Sequence, residues 1–170
     1  MKHFISILLV TVSISVNAQN PMAYELYNSD GEKVTWQSMK DDFRNQDLIF
    51  FGELHNSAIA HWLQLELTQD LFMELNNKLI LGAEMFEADN QIIIDEYLND
   101  LIQRKNFENE VRLWDNYKTD YRPLLEFAKN HRLDFIATNV PRRYAALVNK
   151  EGFEGLKKLS DEAKKWLPPL

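Results

Sequence analysis

Short apolar runs alternate along the chain with longer stretches in which apolar residues recur at helical spacing. Three runs of strand length are rich in aliphatic and aromatic residues, at 47–51, 78–84 and 133–138. The clearest amphipathic stretch extends from Ser57 to about Asn76. Apolar strands that alternate with helices are typical of a parallel sheet covered on both faces. The pattern therefore predicts an α/β fold with a mainly parallel sheet and helices on both faces.

Weaker patterns predict the remaining elements. Residues 24–27 and 32–34 flank an Asp-Gly pair, which predicts a small hairpin, and Thr35 is placed to cap a short helix. Further helices are predicted at 89–104, at 107–114, at 121–131 and, with a break at 152–155, from Pro141 onward. Three parallel strands make a thin sheet, and the sequence ends in a Pro-Pro-Leu tripeptide. We therefore expect further residues after Leu170 to complete the sheet.

The first eighteen residues resemble a secretory signal peptide. Lys2 precedes an apolar run from Phe4 to Val16, and small residues occupy the positions before a cleavage point after Ala18. The run is too short to span a bilayer, which disfavours a membrane anchor. We therefore expect residues 1–18 to be removed, and residues 19–170 to form one domain in the periplasm or outside the cell.

The amino-acid composition excludes several kinds of site and disfavours one class of ligand. The chain has no cysteine, which excludes disulfides, thiolate metal sites, a cysteine nucleophile and a lipid anchor at the cleavage site. Its 26 acidic and 19 basic residues give a net charge of −7, and removal of Lys2 with the signal would make it −8. An acidic protein with scattered basic residues is a poor candidate for nucleic-acid binding.

Residues with ionisable or polar side chains lie at the end of each predicted strand. Gly52, Glu53 and His55 follow the first strand, and Glu84 ends the second. The carboxyl ends of parallel strands share one edge of a sheet, where α/β proteins bind ligands. If the chain stays extended after the first strand, Glu53 and His55 point to the same side. We therefore expect these side chains, and the polar residues after the third strand, to meet at one rim.

Two kinds of chemistry are open to this rim. His55 can act as a base or as a neutral metal ligand, and Glu53 or Glu84 could orient it or bind a divalent metal beside it. A hydrolytic zinc site takes three protein ligands, and no second histidine is well placed to complete one. His61 is predicted to be a surface or packing residue, because it lies off the side that His55 would occupy.

Two further signals accompany the carboxylates and the imidazole. Asn139 ends the third strand, and Arg142 and Arg143 open the next helix after a proline, an arrangement suited to a carboxylate or phosphate. Solvated arginines are the alternative. Tyr117 and Tyr121 lie in a polar loop that enters a helix, where exposed tyrosines could stack on a ligand or bind ferric iron.

Four motifs occur in order at suitable spacing: Phe51-Gly52-Glu53-Leu54-His55, Gly82-Ala83-Glu84-Met85-Phe86, Asn116-Tyr117 with Tyr121-Arg122-Pro123, and Asn139-Val140-Pro141-Arg142. Together they resemble the ChaN-like haem-binding uptake family of the Tiki superfamily, over about residues 35–170. Gly52 and His55 match the first Gly-x-x-His motif of the superfamily, and Glu84 matches its strand-end glutamate. The second Gly-x-x-His motif has no match, and the tyrosine that ligates haem in ChaN cannot be assigned.

The resemblance implies a secreted or membrane-attached bacterial protein that binds haem and is linked to iron uptake, with membrane-associated uptake machinery as an expected partner. Arg142 or Arg143 would then lie near the haem propionates, and a homodimer is one arrangement open to it. The alternative is a metal-dependent hydrolase, like the Tiki proteases or the erythromycin-esterase-like relatives, with His55 as base or ligand and the glutamates assisting. A scaffold that binds another small molecule is a third hypothesis.

Overall fold

The structure is a computed structural model, and it describes residues 23–75 and 78–169. The predicted signal peptide lies outside the described residues. Helices dominate the described chain, and the strands form two small sheets, so the fold is of the mixed α/β class. Among the helices described, none is both long and apolar enough to cross a bilayer.

Short strands and helices follow one another along the described chain. The strands are β1 (Leu26–Tyr27), β2 (Lys33–Val34), β3 (Leu81–Glu87) and β4 (Phe135–Asn139). The α-helices are α1 (Trp36–Phe43), α2 (Ala58–Glu74), α3 (Gln91–Leu98), α4 (Arg104–Glu110), α5 (Arg122–His131), α6 (Arg142–Glu151) and α7 (Asp161–Lys164). Short 3₁₀ turns cover Ala88–Asn90 and Phe153–Lys158, and a π-helical turn covers Tyr117–Tyr121.

Local sequence signals account for the N-terminal elements. β1 and β2 pair antiparallel, and Gly31 between them has φ 78°, a left-handed conformation that glycine adopts without strain. The Thr35 hydroxyl accepts a hydrogen bond from the Ser38 amide and so caps α1. Ser57 caps α2 in the same way through the Ala60 amide. The predicted hairpin and both predicted helix starts are thus confirmed.

β3 and β4 form a parallel pair in register at Ala83 and Ala137, and the register shifts before Glu87 pairs with Asn139. β3 begins and ends three residues later than predicted. Glu84 therefore lies inside the strand, and Glu87 is the glutamate at its carboxyl end. Because of this displacement, Glu87 rather than Glu84 lies at the end of the strand, where the ligand-binding rim was predicted.

The predicted first strand at 47–51 is wrong for the described structure, because these residues belong to neither helix nor strand. Their backbone joins no ladder, and a strand forms only where a neighbouring edge accepts its hydrogen bonds. Leu48 and Phe50 are 68% and 87% exposed. The described residues therefore contain one parallel pair and one antiparallel pair rather than a three-stranded parallel sheet.

Burial alternates along the parallel pair. Ala83 and Ala137 face the core, whereas Gly82, Glu84 and Ile136 are exposed on the opposite face. Helices therefore cover one face of this sheet in the described part of the chain. The prediction of helices on both faces is not met there.

The core lies on the covered face and is rich in aromatic residues. Phe86 is 1% exposed, and its ring contacts those of Phe107, Tyr117 and Phe135 at centroid separations of 6.4, 6.3 and 5.5 Å. Tyr97 stacks on Phe107 at 4.6 Å. β3, β4, α4 and the π-helical turn are thus joined through Phe86.

Replacement of Phe86 should therefore destabilise the whole domain. We expect Phe86→Ala to lower the free energy of unfolding by about 3–5 kcal/mol, because a large buried side chain is replaced by a cavity. Urea denaturation followed by circular dichroism measures the change. Phe153→Ala, at a position that is 72% exposed, is the control and should leave the midpoint nearly unchanged. Equal effects of the two substitutions would contradict the central position of Phe86.

Candidate functional site

The carboxylate of Glu53 is the centre of a polar cluster where the chain enters α2. Its side chain is only 5% exposed. Oε1 accepts hydrogen bonds from the Tyr121 hydroxyl at 2.8 Å and from His55 Nδ1 at 3.1 Å. Oε2 accepts from Gln64 Nε2 at 2.5 Å and lies 3.1 Å from His61 Nδ1. Three hydrogen-bond donors and the neighbouring His61 ring thus surround the carboxylate.

The hydrogen bonds to Glu53 also determine the charge of its carboxylate. Burial alone would raise the pKa of the Glu53 carboxyl, but the hydrogen bonds from His55, Tyr121 and Gln64 outweigh it and lower the pKa below its usual range. Glu53 is therefore ionised at neutral pH. Its role is to hold its partners in place, because its lone pairs are already used.

His55 is oriented by this carboxylate. A carboxylate can only accept, so Nδ1 carries the proton and the other ring nitrogen of the neutral imidazole, Nε2, keeps its lone pair. The side chain is 53% exposed, and no described residue forms a hydrogen bond with Nε2. The ring packs edge-on against Trp114 at a centroid separation of 4.8 Å. The result is an accessible imidazole whose free nitrogen is presented in a fixed direction.

Two side chains hold the backbone of His55. The carbonyl of His55 accepts hydrogen bonds from Asn116 Nδ2 at 2.7 Å and from His61 Nε2 at 3.1 Å. Asn116 also donates to Asp120, which ties the π-helical turn to this loop. His61, which was predicted to be a surface or packing residue, is 6% exposed and belongs to the cluster. The signal for this place was its position in the first turn of α2, four residues after the capping Ser57.

The structure corrects the predicted exposure of the two tyrosines, since both Tyr117 and Tyr121 are 2% exposed. Burial and the hydrogen bond to Glu53 raise the pKa of Tyr121 to about 12. Burial also raises the pKa of Tyr117, whose hydroxyl has no hydrogen-bond partner in the described structure. Both phenols are therefore neutral, and neither is presented to solvent as an iron ligand.

Glu84 was predicted to be the glutamate at the end of the second strand, but the structure has Glu87 in that position. Glu84 lies on the exposed face of β3, and no hydrogen bond or ion pair between described residues joins its side chain to Glu53 or His55. Asn139, another predicted rim residue, donates to the Glu84 carbonyl at 2.9 Å. Glu87, which the sequence pattern did not single out, is the buried glutamate at the strand end.

Arg142 and Arg143 both bind internal carboxylates. Glu87 accepts from the Arg142 backbone amide at 3.0 Å and from its Nε at 2.7 Å, so the anion at the start of α6 is a side chain of the protein itself. Asp89 binds Arg143, and Arg112 binds both acids. Burial opposes ionisation of Glu87, but its bonds to Arg142 and Arg112 lower its pKa.

A family model for haem-binding uptake in the Tiki superfamily, ChaN, matches residues 39–170. That range includes every side chain of the cluster. The chain belongs to this ChaN family. The resemblance recognised in the sequence is thereby confirmed. Searches of curated proteins and of solved structures found no match.

The residues fit the haem that the ChaN family name implies. Haem iron takes an imidazole nitrogen as an axial ligand, and the Nε2 of His55 is accessible and unoccupied by any described donor. In the sequence, Phe50 lies five residues before His55 and Leu54 directly before it, and the two side chains are 87% and 75% exposed. Gly52 is exposed as well, and a Cβ built there would meet nothing within 4 Å. An apolar plane could therefore approach this loop.

A protein-ligated metal centre fits less well in this ChaN-family chain. Among the residues that the structure describes, no group of three histidine or acidic side chains could hold a metal ion. Glu53 is occupied by its donors, and no hydrogen bond or ion pair between described residues joins Glu84 to His55. The hydrolase alternative has His55 as base or ligand with the glutamates assisting, and of the two glutamates Glu53 is the one that is hydrogen-bonded to His55.

A groove lies elsewhere on the described surface. It has a volume of about 1050 Å³ and is lined by the end of α3, the end of α5 and the first residues of β4. This is the end of β4 opposite to Asn139, and none of the predicted site residues lines it.

The stability of the cluster should depend on pH through Glu53. Its pKa is lower in the folded than in the unfolded protein, so its contribution is present above about pH 4.5 and is lost as the pH falls through the lower folded value. We expect Glu53→Gln to lower the free energy of unfolding by about 1–3 kcal/mol at pH 7, and by less at pH 3. Urea denaturation at both values measures the difference.

The control for this comparison is Glu154→Gln, at an exposed glutamate paired only with Lys157. It should have little effect at either pH. A penalty for Glu53→Gln that is the same at both values would show that the carboxylate charge does not stabilise the cluster.

Proposed function

We propose that this protein is exported from the cytoplasm and binds haem for iron uptake, with His55 Nε2 as an axial ligand of the iron. One observation carries the proposal: His55 is half-exposed, and the buried Glu53 carboxylate holds its Nδ1 so that Nε2 faces outward. Family membership supports haem as the ligand. The apolar signal-like run from Phe4 to Val16 supports export.

The carboxylate improves His55 as a ligand in two ways. It fixes the tautomer in which Nε2 carries the lone pair, and it holds the ring in one orientation through the hydrogen bond at Nδ1. The bonds from Asn116 and His61 to the His55 carbonyl hold the loop in the same orientation before the ligand arrives. Less conformational entropy is then lost on binding.

The surroundings of His55 suit a porphyrin. Phe50, Phe51 and Leu54 are exposed apolar side chains within five residues of it, and Trp114 packs against its ring. A porphyrin placed there would bury these side chains, which gives a hydrophobic contribution of about 25 cal/mol per Å² of apolar surface. Haem in this role is cargo, and the buried tyrosines leave ligation to the imidazole.

Titration with haemin tests the proposal. The mature chain should give a saturable shift of the Soret band, and His55→Ala should bind at least about tenfold more weakly and lose the spectrum of imidazole-ligated iron. His131→Ala is the matched control, because His131 is the exposed histidine at the end of α5 and, among the described residues, its ring is hydrogen-bonded only to the Phe127 carbonyl. A chain that gives no saturable shift would refute haem binding, and equal affinities of the two variants would refute ligation by His55.

A further inference from the structure

The parallel pair of strands has an outer edge on each side. β3 and β4 bond to one another along their inner edges, and each strand has a second row of backbone N–H and C=O groups that points away from its partner. Such a row is a template on which a strand of another molecule can pair. The groups that occupy an outer edge therefore decide whether a further strand can be added there.

The backbone directions along β4 show which of its groups form the outer edge. The Leu81 amide donates to the Asp134 carbonyl at 3.0 Å, so this carbonyl points to β3. Carbonyls of successive residues in a strand point to opposite edges, so the Phe135 carbonyl points outward and the Ile136 carbonyl points to β3. The N–H across a trans peptide bond points opposite to the carbonyl. The Ala137 amide therefore points outward as well.

The side chain of Gln91 binds both of these outward groups. Gln91 is the first residue of α3. Its Nε2 donates to the Phe135 carbonyl at 2.8 Å, and its Oε1 accepts from the Ala137 amide at 2.7 Å. In a parallel ladder, a residue of the neighbouring strand donates its own N–H and accepts with its own C=O in the same way. The carboxamide thus takes the place of one residue of a third strand.

A third hydrogen bond fixes the orientation of this carboxamide. The Nε2 of Gln91 also donates to Asp95 Oδ1 at 2.8 Å, one turn further along α3. Rotation of the amide by half a turn would direct its oxygen at the Phe135 carbonyl and the Asp95 carboxylate, and its NH₂ group at the Ala137 amide. All three hydrogen bonds would then be lost. The carboxamide is therefore held in the orientation that matches β4.

This part of β4 is accessible from solvent. The groove of about 1050 Å³ runs between α3 and the start of β4, and Gln91, Asp95, Phe135 and Ile136 are among the residues that line it. Ile136 is also 45% exposed, so an apolar side chain accompanies the edge. An accessible edge with an apolar neighbour is the kind of surface on which strands of two molecules associate.

From these contacts we propose that the Gln91 carboxamide closes the outer edge of β4 against pairing with a strand of a second copy of this chain. Asp95 is a positioning residue that holds the carboxamide in place. The inference concerns association between molecules and uses no residue of the Glu53 cluster, so it goes beyond the proposed binding of haem and is independent of it.

The first test needs no substitution. In the wild-type protein, nuclear magnetic resonance should detect a scalar coupling through the hydrogen bond between the Ala137 amide nitrogen and the side-chain carbonyl carbon of Gln91. Gln91→Met keeps the length of the side chain but removes its donors and its acceptor. The Ala137 amide should then exchange with deuterium at least about tenfold faster, because a buried amide loses its partner.

The second test measures association. Sedimentation velocity over a range of protein concentrations should show larger assemblies for Gln91→Met than for the wild type. Gln103→Met is the matched control, because Gln103 is exposed and its side chain does not cap the helix that follows it. It should sediment like the wild type.

Each outcome decides the proposal. A detectable coupling, faster exchange at Ala137 and larger assemblies of Gln91→Met alone would support it. A missing coupling together with unchanged exchange would show that Gln91 does not bind the edge. Faster exchange without any change in sedimentation would show that the open edge does not pair with a second copy. Either of the last two results overturns the proposal.

Discussion

The site depends on one buried carboxylate. Glu53 is 5% exposed and is held by His55, Tyr121, Gln64 and His61, which belong to three different parts of the chain. A buried charge is tolerated only where donors replace the water it has lost. The loop before α2, the first turns of that helix and the π-helical turn must therefore come together for Glu53 to be stable. The same contacts fix the direction of His55.

The cluster at the carboxyl end of β3 also depends on a buried carboxylate, but this carboxylate has different partners. Glu87 is also buried and ionised, but its partners are arginines and the first amide of α6 rather than imidazole, phenol and amide side chains. At Glu53 the carboxylate orients an imidazole, whereas Glu87 and Asp89 bind arginine side chains.

Sequence reasoning was reliable where the signal is local. The Asp-Gly turn and the capping hydroxyls of Thr35 and Ser57 depend on a few neighbouring residues, and the structure confirms them. The parallel pairing of β3 and β4 joins distant residues and was predicted from the apolar composition of both runs. Sequence reasoning failed where a distant partner decides. The run at 47–51 has the composition of a strand, but composition does not reveal whether an edge is available to pair with it.

The residues of the site show the same division. His55 was identified because a histidine after an apolar run is visible in the sequence. His61 was predicted to lie off the side that His55 occupies, but the chain turns at Ser57, whose amide binds the Leu54 carbonyl, and His61 of α2 lies 3.1 Å from Glu53. Glu84 was preferred to Glu87 because a three-residue uncertainty in the end of a strand exchanges one glutamate for the other. Tyr117 and Tyr121 were expected to be exposed because their neighbours in the sequence are polar, but the π-helical turn directs both into the interior.

The most direct test of the central claim is a crystal structure of the mature chain with haemin. The claim is that Glu53 presents His55 as the iron ligand. It predicts that the iron is bonded to His55 Nε2 while Nδ1 still donates to Glu53. Iron bonded to Tyr117, to Tyr121 or to a residue outside the cluster would contradict it.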